Sequence, residues 1–141
     1  MTLVIDASVA LKWFVEENGT RQAAALLAGS DMLVAPDLIV AEVCNAGWKA
    51  VRAGMMRPEQ HDHAAARLAL AFDELLPLAP LAERAVVLSR RLGHPTYDCF
   101  YLVLAEERAA RMVTADQRLI RRLAGTQWET RVVNLRSIVP E

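Results

Sequence analysis

Four acidic residues that lie far apart in the chain stand where a carboxylate could do chemistry. Asp6 and Asp116 each follow a short apolar run, whereas Glu42 and Asp98 lie within apolar stretches that have helical spacing. Carboxylates in such surroundings need hydrogen-bond donors or a cation, because burying an unpaired charge is costly. If the fold gathers all four, their mutual repulsion calls for a metal ion, and ligands made only of oxygen favour Mg²⁺ or Mn²⁺.

Each acid also has an ordinary structural interpretation. Asp6 could be a turn residue ahead of a helix capped by Ser8, and Asp116 could simply cap its own helix, since Asp is a favoured N-cap residue. Asp98 could serve only the dipole of the helix that it begins. Glu42 is harder to explain in this way, because no lysine or arginine lies three or four positions from it to form a surface ion pair.

Polar neighbours of the acids could orient them or a bound water molecule. Ser8, Asn45 and Thr114 lie close in sequence to Asp6, Glu42 and Asp116, and short polar side chains often hold metal ligands in place. Each of the three could equally be a cap, a surface amide or a hydroxyl at the end of a strand.

A basic stretch follows the last acid. Arg118, Arg121 and Arg122 lie on one side of the predicted final helix and could guide the backbone of a nucleic acid. A solvated basic helix face explains the same three residues.

Short apolar runs alternate with helical patterns along the chain, which predicts an α/β fold with a parallel sheet of about five strands flanked by helices. In such sheets, ligands bind at the carboxyl ends of the strands. The predicted strands are residues 3–5, 32–35, 75–78, 112–114 and 131–135. The predicted helices begin after Asp6 and cover residues 21–28, 37–53, 58–72, 80–93, 95–109 and 116–124.

Length and composition predict one folded domain. The chain has 141 residues, of which 54% are hydrophobic, and a formal net charge of -1, so it is neither disordered nor polybasic. The two cysteines, Cys44 and Cys99, stand in apolar helical stretches, as expected for reduced thiols. With no basic leader and no apolar run of spanning length, the sequence predicts a cytoplasmic protein without a membrane segment.

Four short motifs in order make the chain resemble a PIN domain, and more narrowly the VapC-type toxin ribonucleases. The motifs are Val4-Ile5-Asp6-Ala7-Ser8, Pro36-Asp37-Leu38 leading to Glu42-Val43 and Asn45, His94-Pro95-Thr96-Tyr97-Asp98, and Thr114-Ala115-Asp116. The resemblance extends over essentially the whole chain, so a single PIN domain is expected to occupy residues 1–141.

The resemblance implies a function and partners. It implies an acidic pocket of Asp6, Glu42, Asp98 and Asp116, and cleavage of RNA that depends on Mg²⁺ or Mn²⁺. It further implies a homodimer and inhibition by a small VapB-type antitoxin. Some PIN domains carry an additional acid near the last motif, whereas Gln117 and Arg118 follow Asp116 here, which leaves a second metal position open.

Three other functions remain open at this point. A stand-alone PIN nuclease would use the same acids without an antitoxin. A phosphatase or receiver domain also places an aspartate after a strand, but a common phosphatase pattern has a second acid where this chain has Ser8. A non-catalytic module could use the acidic pocket only to bind a basic peptide, and metal-dependent RNA cleavage would separate these alternatives.

Overall fold

The computed structural model of the chain describes residues 1–140, which form one sheet with helices on both faces. The strands are β1 (Thr2–Ile5), β2 (Met32–Pro36), β3 (Glu74–Leu76), β4 (Arg111–Thr114) and β5 (Val132–Asn134). The α-helices are α1 (Ala7–Ala10), α2 (Thr20–Ala28), α3 (Leu38–Arg52), α4 (Pro58–Arg67), α5 (Ala82–Leu92), α6 (Thr96–Glu107) and α7 (Gln117–Leu123).

The five strands lie in the order β3-β2-β1-β4-β5, and all neighbouring pairs are parallel. The predicted α/β architecture with a parallel sheet of five strands is therefore confirmed. From β1 the chain builds outward through β2 and β3, and then returns to place β4 and β5 on the other side. Such a reversal leaves a crevice at the carboxyl ends of the two central strands, here β1 and β4.

Three helices begin at this edge of the sheet because each is joined to a strand by a short connection. Helix α3 follows β2 and helix α7 follows β4, so both start at the carboxyl ends of the strands. Helix α6 precedes β4 and must run in the opposite direction, which brings its first turn to the same edge. The fold therefore directs the starts of α3, α6 and α7 toward one crevice.

Helix α6 is the central helix of the core. It packs against β1, β2, β4 and α5, and its buried residues are Cys99, Tyr101, Leu102, Val103, Leu104 and Ala105. A helix that is apolar on nearly all sides is expected in a buried position. This packing fixes the first turn of α6, which carries Asp98, against the sheet.

Two details of the predicted elements were wrong. The stretch 58–72 is not one α-helix, because α4 ends at Arg67 and a 3-10 helix spans Leu68–Ala71 before β3. The residue that caps α1 is Asp6 and not Ser8: a carboxylate oxygen of Asp6 accepts the backbone N–H of Val9 at 3.1 Å. The alternative interpretation of Asp6 as a mere turn residue understated its structural role.

Helices α3 and α4 pack against each other through a close contact between a glycine and a histidine. His61 Nε2 lies 2.8 Å from the backbone oxygen of Cys44, and a Cβ atom added to Gly47 would approach His61 Cδ2 to 2.6 Å. His63 instead contacts the ring of Phe14 edge-on. The two histidines thus serve different packing contacts.

Within residues 1–140, no helix is both long enough and apolar enough to cross a lipid bilayer.

Candidate metal-dependent active site

Asp6 is the most buried acid of the candidate site, with 4% of its surface exposed. Ser8 Oγ donates a hydrogen bond of 2.6 Å to Oδ1, and the hydroxyl of Thr114 donates to Oδ2. With the N–H of Val9 also bonded to Oδ1, both oxygens of the carboxylate are held by donors. Since donors to a carboxylate favour its charged form, these contacts prepare Asp6 to carry a charge inside the protein.

Glu42 lies in the second turn of α3 and receives its donor from another helix. The phenol of Tyr101 on α6 donates to Glu42 Oε1 at 2.5 Å. Tyr101 is itself buried, so its packing in the core fixes the direction of this bond. The absence of a cation within reach on α3 is thus compensated by a donor from the neighbouring helix.

Asp98 lies in the first turn of α6, where its Oδ2 is 2.5 Å from Nε2 of His94. The side chain of Asp98 retains 24% exposure, against 10% for His94. The sequence names His94 only as the first residue of the third motif and predicts no contact for it. Its spacing of four residues from Asp98 is the signal that could have identified this pair, although His94 lies before the first residue of α6.

Asp116 caps helix α7, as the ordinary interpretation predicted, and it also belongs to the acidic cluster. Its Oδ1 accepts the backbone N–H groups of Arg118 at 2.9 Å and Leu119 at 3.3 Å. The cap does not use Oδ2. Capping therefore leaves one carboxylate oxygen of Asp116 for another ligand.

Ser8 and Thr114 join the ends of β1 and β4. Thr114 Oγ1, which donates to Asp6, also accepts the backbone N–H of Asp116 at 3.1 Å. Ser8 Oγ accepts the backbone N–H of Ala115 at 3.0 Å while donating to Asp6. These two hydroxyls hold the segments that carry Asp6 and Asp116 in a fixed relation. Asn45, in contrast, is exposed on α3.

The pKa values of the acids indicate that their charges act on one another. Burial, with a smaller contribution from the charge of Asp98, raises the pKa of Asp6 to about 7 despite its hydrogen bonds. Burial is also the largest cause of the raised pKa of Glu42, to which the charge of Asp98 again contributes. The pKa of Asp98 is raised first by burial and then by the charge of Asp116, against the lowering effect of His94. Asp98 is therefore coupled to each of the other three acids.

The candidate site is an open cluster of oxygen donors. Among residues 1–140, no three side chains of Asp, Glu, His or Cys converge closely enough to enclose a metal ion. The four acids are instead coupled across the crevice through Asp98. Carboxylate oxygens are the ligands that hard divalent cations prefer, and such a cation would offset both the burial and the mutual repulsion that raise these pKa values. The chemistry of the donors thus fits Mg²⁺ or Mn²⁺.

A basic cavity of about 420 Å³ lies beside the acids, lined by His94, Arg118, Arg121 and Arg122. His94 connects it to the cluster through Asp98, and Arg118 through its backbone bond to Asp116. The three arginines suggested by the sequence therefore lie together and next to the candidate site.

The fold is that of a known class of protein. The model of the PIN domain family matches residues 3–125, and the chain belongs to this family, as its four motifs predicted. Ribonuclease VapC3 of Pyrobaculum aerophilum is 31% identical over 121 residues, which cover 84% of this chain and 92% of that protein. The identity and coverage confirm the resemblance to VapC-type proteins.

Solved structures share the fold at lower identity. A crystal structure from Pyrobaculum aerophilum superposes with a TM-score of 0.71 at 20% identity, covering 97% of this chain and 85% of that one. A chain of a toxin-antitoxin complex from Klebsiella pneumoniae superposes with a TM-score of 0.68 at 19% identity, covering 94% of this chain and 97% of that one. The prediction that the domain occupies residues 1–141 reaches beyond the matched region and includes Glu141, which lies outside the described residues.

Proposed function

We propose that this chain is a metal-dependent endoribonuclease and the toxin of a toxin-antitoxin pair, with Asp6, Glu42, Asp98 and Asp116 as the residues that hold the metal. The observation that carries the proposal is that the hydroxyl of Thr114 bonds both to the carboxylate of Asp6 and to the backbone N–H of Asp116, which holds two of the acids together at the carboxyl ends of β1 and β4. The similarity to a ribonuclease over most of both chains supports RNA as the substrate.

The ion proposed is Mg²⁺ or Mn²⁺, because all the candidate ligands are carboxylate oxygens. When bound, such an ion supplies Lewis-acid stabilisation of the phosphate charge and activates water for in-line attack. A side chain acting as general base is then not required. In agreement with this, each of the four acids already takes part in a hydrogen bond that fixes its side chain or caps a helix.

The chain's own residues orient the ligands. Thr114 fixes the position of Asp6 relative to Asp116, because its hydroxyl donates to the carboxylate of Asp6 and accepts the backbone N–H of Asp116. Tyr101 holds Glu42, and His94 holds Asp98. Outer contacts of this kind commonly change metal affinity or activity about 10- to 100-fold when they are removed.

We propose that the phosphate backbone of the RNA binds in the basic cavity. Arg118, Arg121 and Arg122 are all exposed, and arginine suits forked contacts to phosphate. Because these contacts follow the charge of the backbone, they hold RNA in place without reading its sequence.

The partner proposed is a VapB-type antitoxin, a small protein expressed with the toxin. One of the structural neighbours is a toxin-antitoxin complex, and a cluster of repelling carboxylates would accept a basic side chain from an inhibitor. We also propose a homodimer in the cytoplasm, where the RNA would be encountered. Sedimentation of the purified chain tests the dimer, and a reading frame for a small DNA-binding protein beside this gene tests the antitoxin.

Cleavage of RNA by the purified full chain tests the enzymatic assignment. We expect cleavage with Mg²⁺ or Mn²⁺, none with excess EDTA, and a loss of at least about 100-fold for Asp98→Asn and Asp116→Asn. The matched control is Glu107→Gln, an exposed acid on the same helix as Asp98 that pairs with Arg84. Wild-type cleavage by both acid variants would overturn the proposal, and so would a wild-type chain that cleaves no RNA with either metal.

A further inference from the structure

Two amide side chains form a reciprocal pair at the carboxyl ends of β4 and β5. Gln117 Nε2 donates to Asn134 Oδ1 at 3.2 Å, and Asn134 Nδ2 donates to Gln117 Oε1 at 3.1 Å. Asn134 is the last residue of β5, and Gln117 is the first residue of α7. The pair therefore joins a strand end to a helix start at the edge of the sheet that carries Asp6 and Asp116.

Backbone partners determine the orientation of both amides. Gln117 Nε2 also donates to the carbonyl oxygen of Ala115 at 3.2 Å, and the backbone N–H of Arg136 donates to Asn134 Oδ1 at 3.1 Å. A carbonyl only accepts and an N–H only donates, so the nitrogen of Gln117 and the oxygen of Asn134 must lie on this side of the pair. The other side consequently holds Gln117 Oε1 and Asn134 Nδ2, which together are called the amide edge.

The amide edge keeps unused hydrogen-bonding capacity. An amide nitrogen has two N–H bonds, and an amide oxygen can accept two hydrogen bonds. Within residues 1–140, Asn134 Nδ2 and Gln117 Oε1 are bonded only to each other. One donor and one acceptor thus remain side by side, on atoms 3.1 Å apart. Both side chains are half-buried, so the pair is held in place while part of its surface still reaches solvent.

The residues of the amide edge lie beside both an acid of the candidate site and the basic cavity. Gln117 directly follows Asp116 and stands four residues before Arg121 on α7, so Gln117 and this cavity-lining arginine are neighbours on the helix surface. Asn134 pairs with Thr114 in the parallel register of β4 and β5. An RNA whose backbone binds in the cavity and whose scissile phosphate lies at the acids therefore passes next to the pair.

A donor beside an acceptor is the pattern with which amides bind adenine. Side chains of Asn and Gln contact its N6 amino group and N7 together, whereas guanine presents two acceptors on the same edge and each pyrimidine presents one polar group. RNA bases are bound through this edge or through the Watson–Crick edge, where adenine again has an amino donor beside a ring-nitrogen acceptor. Adenine is thus the base that fits the amide edge in either orientation.

We infer that Gln117 and Asn134 bind an adenine of the RNA close to the cleaved bond and give the enzyme a preference for that base. Gln117 Oε1 accepts the N6 amino group, and Asn134 Nδ2 donates to a ring nitrogen. The inference rests on the proposed ribonuclease function and adds a base preference to it.

Cleavage of a short RNA with a randomised central segment tests the preference, with the full wild-type chain and Mn²⁺. We expect adenine to be favoured about tenfold at one position relative to the cut, within the range of a single bidentate contact. Purine at that position keeps the ring nitrogens of adenine but lacks the amino group. It should be cut about tenfold more slowly than adenine, because it has no donor for Gln117.

Two substitutions alter the amide edge. Asn134→Asp replaces the donor by an acceptor and keeps Oδ1 for the backbone N–H of Arg136, whereas Gln117→Met removes the acceptor at a similar side-chain length. Both should reduce the adenine preference to within about twofold, a ratio that a general loss of RNA binding or stability does not change. The matched control is Ser137→Ala. Its hydroxyl donates to the backbone oxygen of Asn134 at 2.7 Å, and its loss should leave the preference unchanged.

The outcomes distinguish this inference from the proposed function. A wild type that cuts RNA without favouring adenine at any position would overturn the inference and leave the ribonuclease assignment intact. So would equal cutting at adenine and purine, or a preference that persists in both Asn134→Asp and Gln117→Met. A wild type that cuts no RNA would remove the proposed function and the inference together. The comparison of adenine with purine uses only the wild type, so it decides the matter even if a variant fails to fold.

Discussion

The hydroxyl of Thr114 donates a hydrogen bond to the carboxylate of Asp6, joining two residues that are 108 positions apart in the chain. The contact follows from the sheet: Ile5 pairs with Val113 in the parallel register of β1 and β4, so the next residue of each strand emerges at the same edge. Both side chains are buried. This hydrogen bond joins the two strand ends at the base of the crevice, together with the bond from the backbone N–H of Ala115 to Ser8 Oγ.

Replacing Thr114 by valine keeps the shape of the side chain and removes this donor. We expect the free energy of unfolding to fall by about 1–3 kcal/mol, because a buried carboxylate oxygen loses its partner. Metal affinity should fall about tenfold, since the orientation of Asp6 is lost. Denaturant unfolding and Mn²⁺ titration measure the two effects. Thr114→Ser, which retains a hydroxyl, is the control, and equal behaviour of the two variants would contradict the role assigned to this bond.

The stability of the metal-free protein should depend on pH through Asp6. Its pKa of about 7, raised mainly by burial, exceeds the ordinary value near 3.9, so ionisation works against the fold. The contribution of protonated Asp6 is fully present below about pH 4 and is lost as the pH rises to about 7. The loss is on the order of 4 kcal/mol at about 1.4 kcal/mol per pKa unit.

Urea unfolding between pH 4 and pH 8 measures this dependence as the difference between the wild type and Asp6→Asn. The asparagine variant does not ionise, so its stability should fall less over the same interval. Saturating Mn²⁺ should remove much of the difference, because a metal ion binds the ionised carboxylate. Parallel curves for the two metal-free proteins would contradict the raised pKa of Asp6.

Gly47→Ala should lower the stability of the protein when residue 61 is histidine and raise it when residue 61 is alanine. In the wild-type background, Gly47→Ala pushes the ring of His61 away from its contact with Cys44. We expect a loss of about 1–2 kcal/mol, because overpacking costs about 1–3 kcal/mol and exceeds the helix propensity gained. In a His61→Ala background the clash is absent, and the same change should stabilise by up to about 1 kcal/mol. Thermal unfolding of the four proteins tests the cycle, and additive effects would exclude the contact.

Ala109 follows the end of α6 in a left-handed conformation, with φ of 50°. This conformation destabilises a residue with a Cβ atom by about 1–2 kcal/mol. Glycine avoids this strain, but its greater conformational freedom in the unfolded chain offsets part of the gain. Ala109→Gly should therefore stabilise the protein by about 0.5–1 kcal/mol. The control is Ala53→Gly at the end of α3, where φ is -81°, which should destabilise. A loss of stability at both positions would contradict the assigned strain.

The sequence indicated the elements and the four acids because these leave local signals. Short apolar runs marked all five strands, and Glu42 stood out because its helix offers no cation within reach. The donor that Glu42 receives from Tyr101 was not predictable, since it depends on how α3 packs beside α6. The 3-10 helix at Leu68–Ala71 was missed because its alanines and leucines continue the helical pattern of α4.

Some of the polar contacts in the site could be predicted from the sequence, and others could not. Ser8 and Thr114 were identified as candidates because they lie beside Asp6 and Asp116, and the structure gives each a hydrogen bond to Asp6. The contact of His94 with Asp98 was not predicted because His94 lies outside α6, separated from it by the N-cap residue Pro95. The strand order that sets Thr114 against Asp6 arises only from long-range pairing, which no local pattern encodes.

We propose that Asp98 belongs to a cluster of acids that binds the metal required to cut RNA. The most direct test measures Mn²⁺ binding and RNA cleavage by the same preparations of wild type, Asp98→Asn and Glu107→Gln. We expect Asp98→Asn to lose both Mn²⁺ affinity and cleavage, and Glu107→Gln to retain both. Full Mn²⁺ affinity together with wild-type cleavage in Asp98→Asn would contradict it.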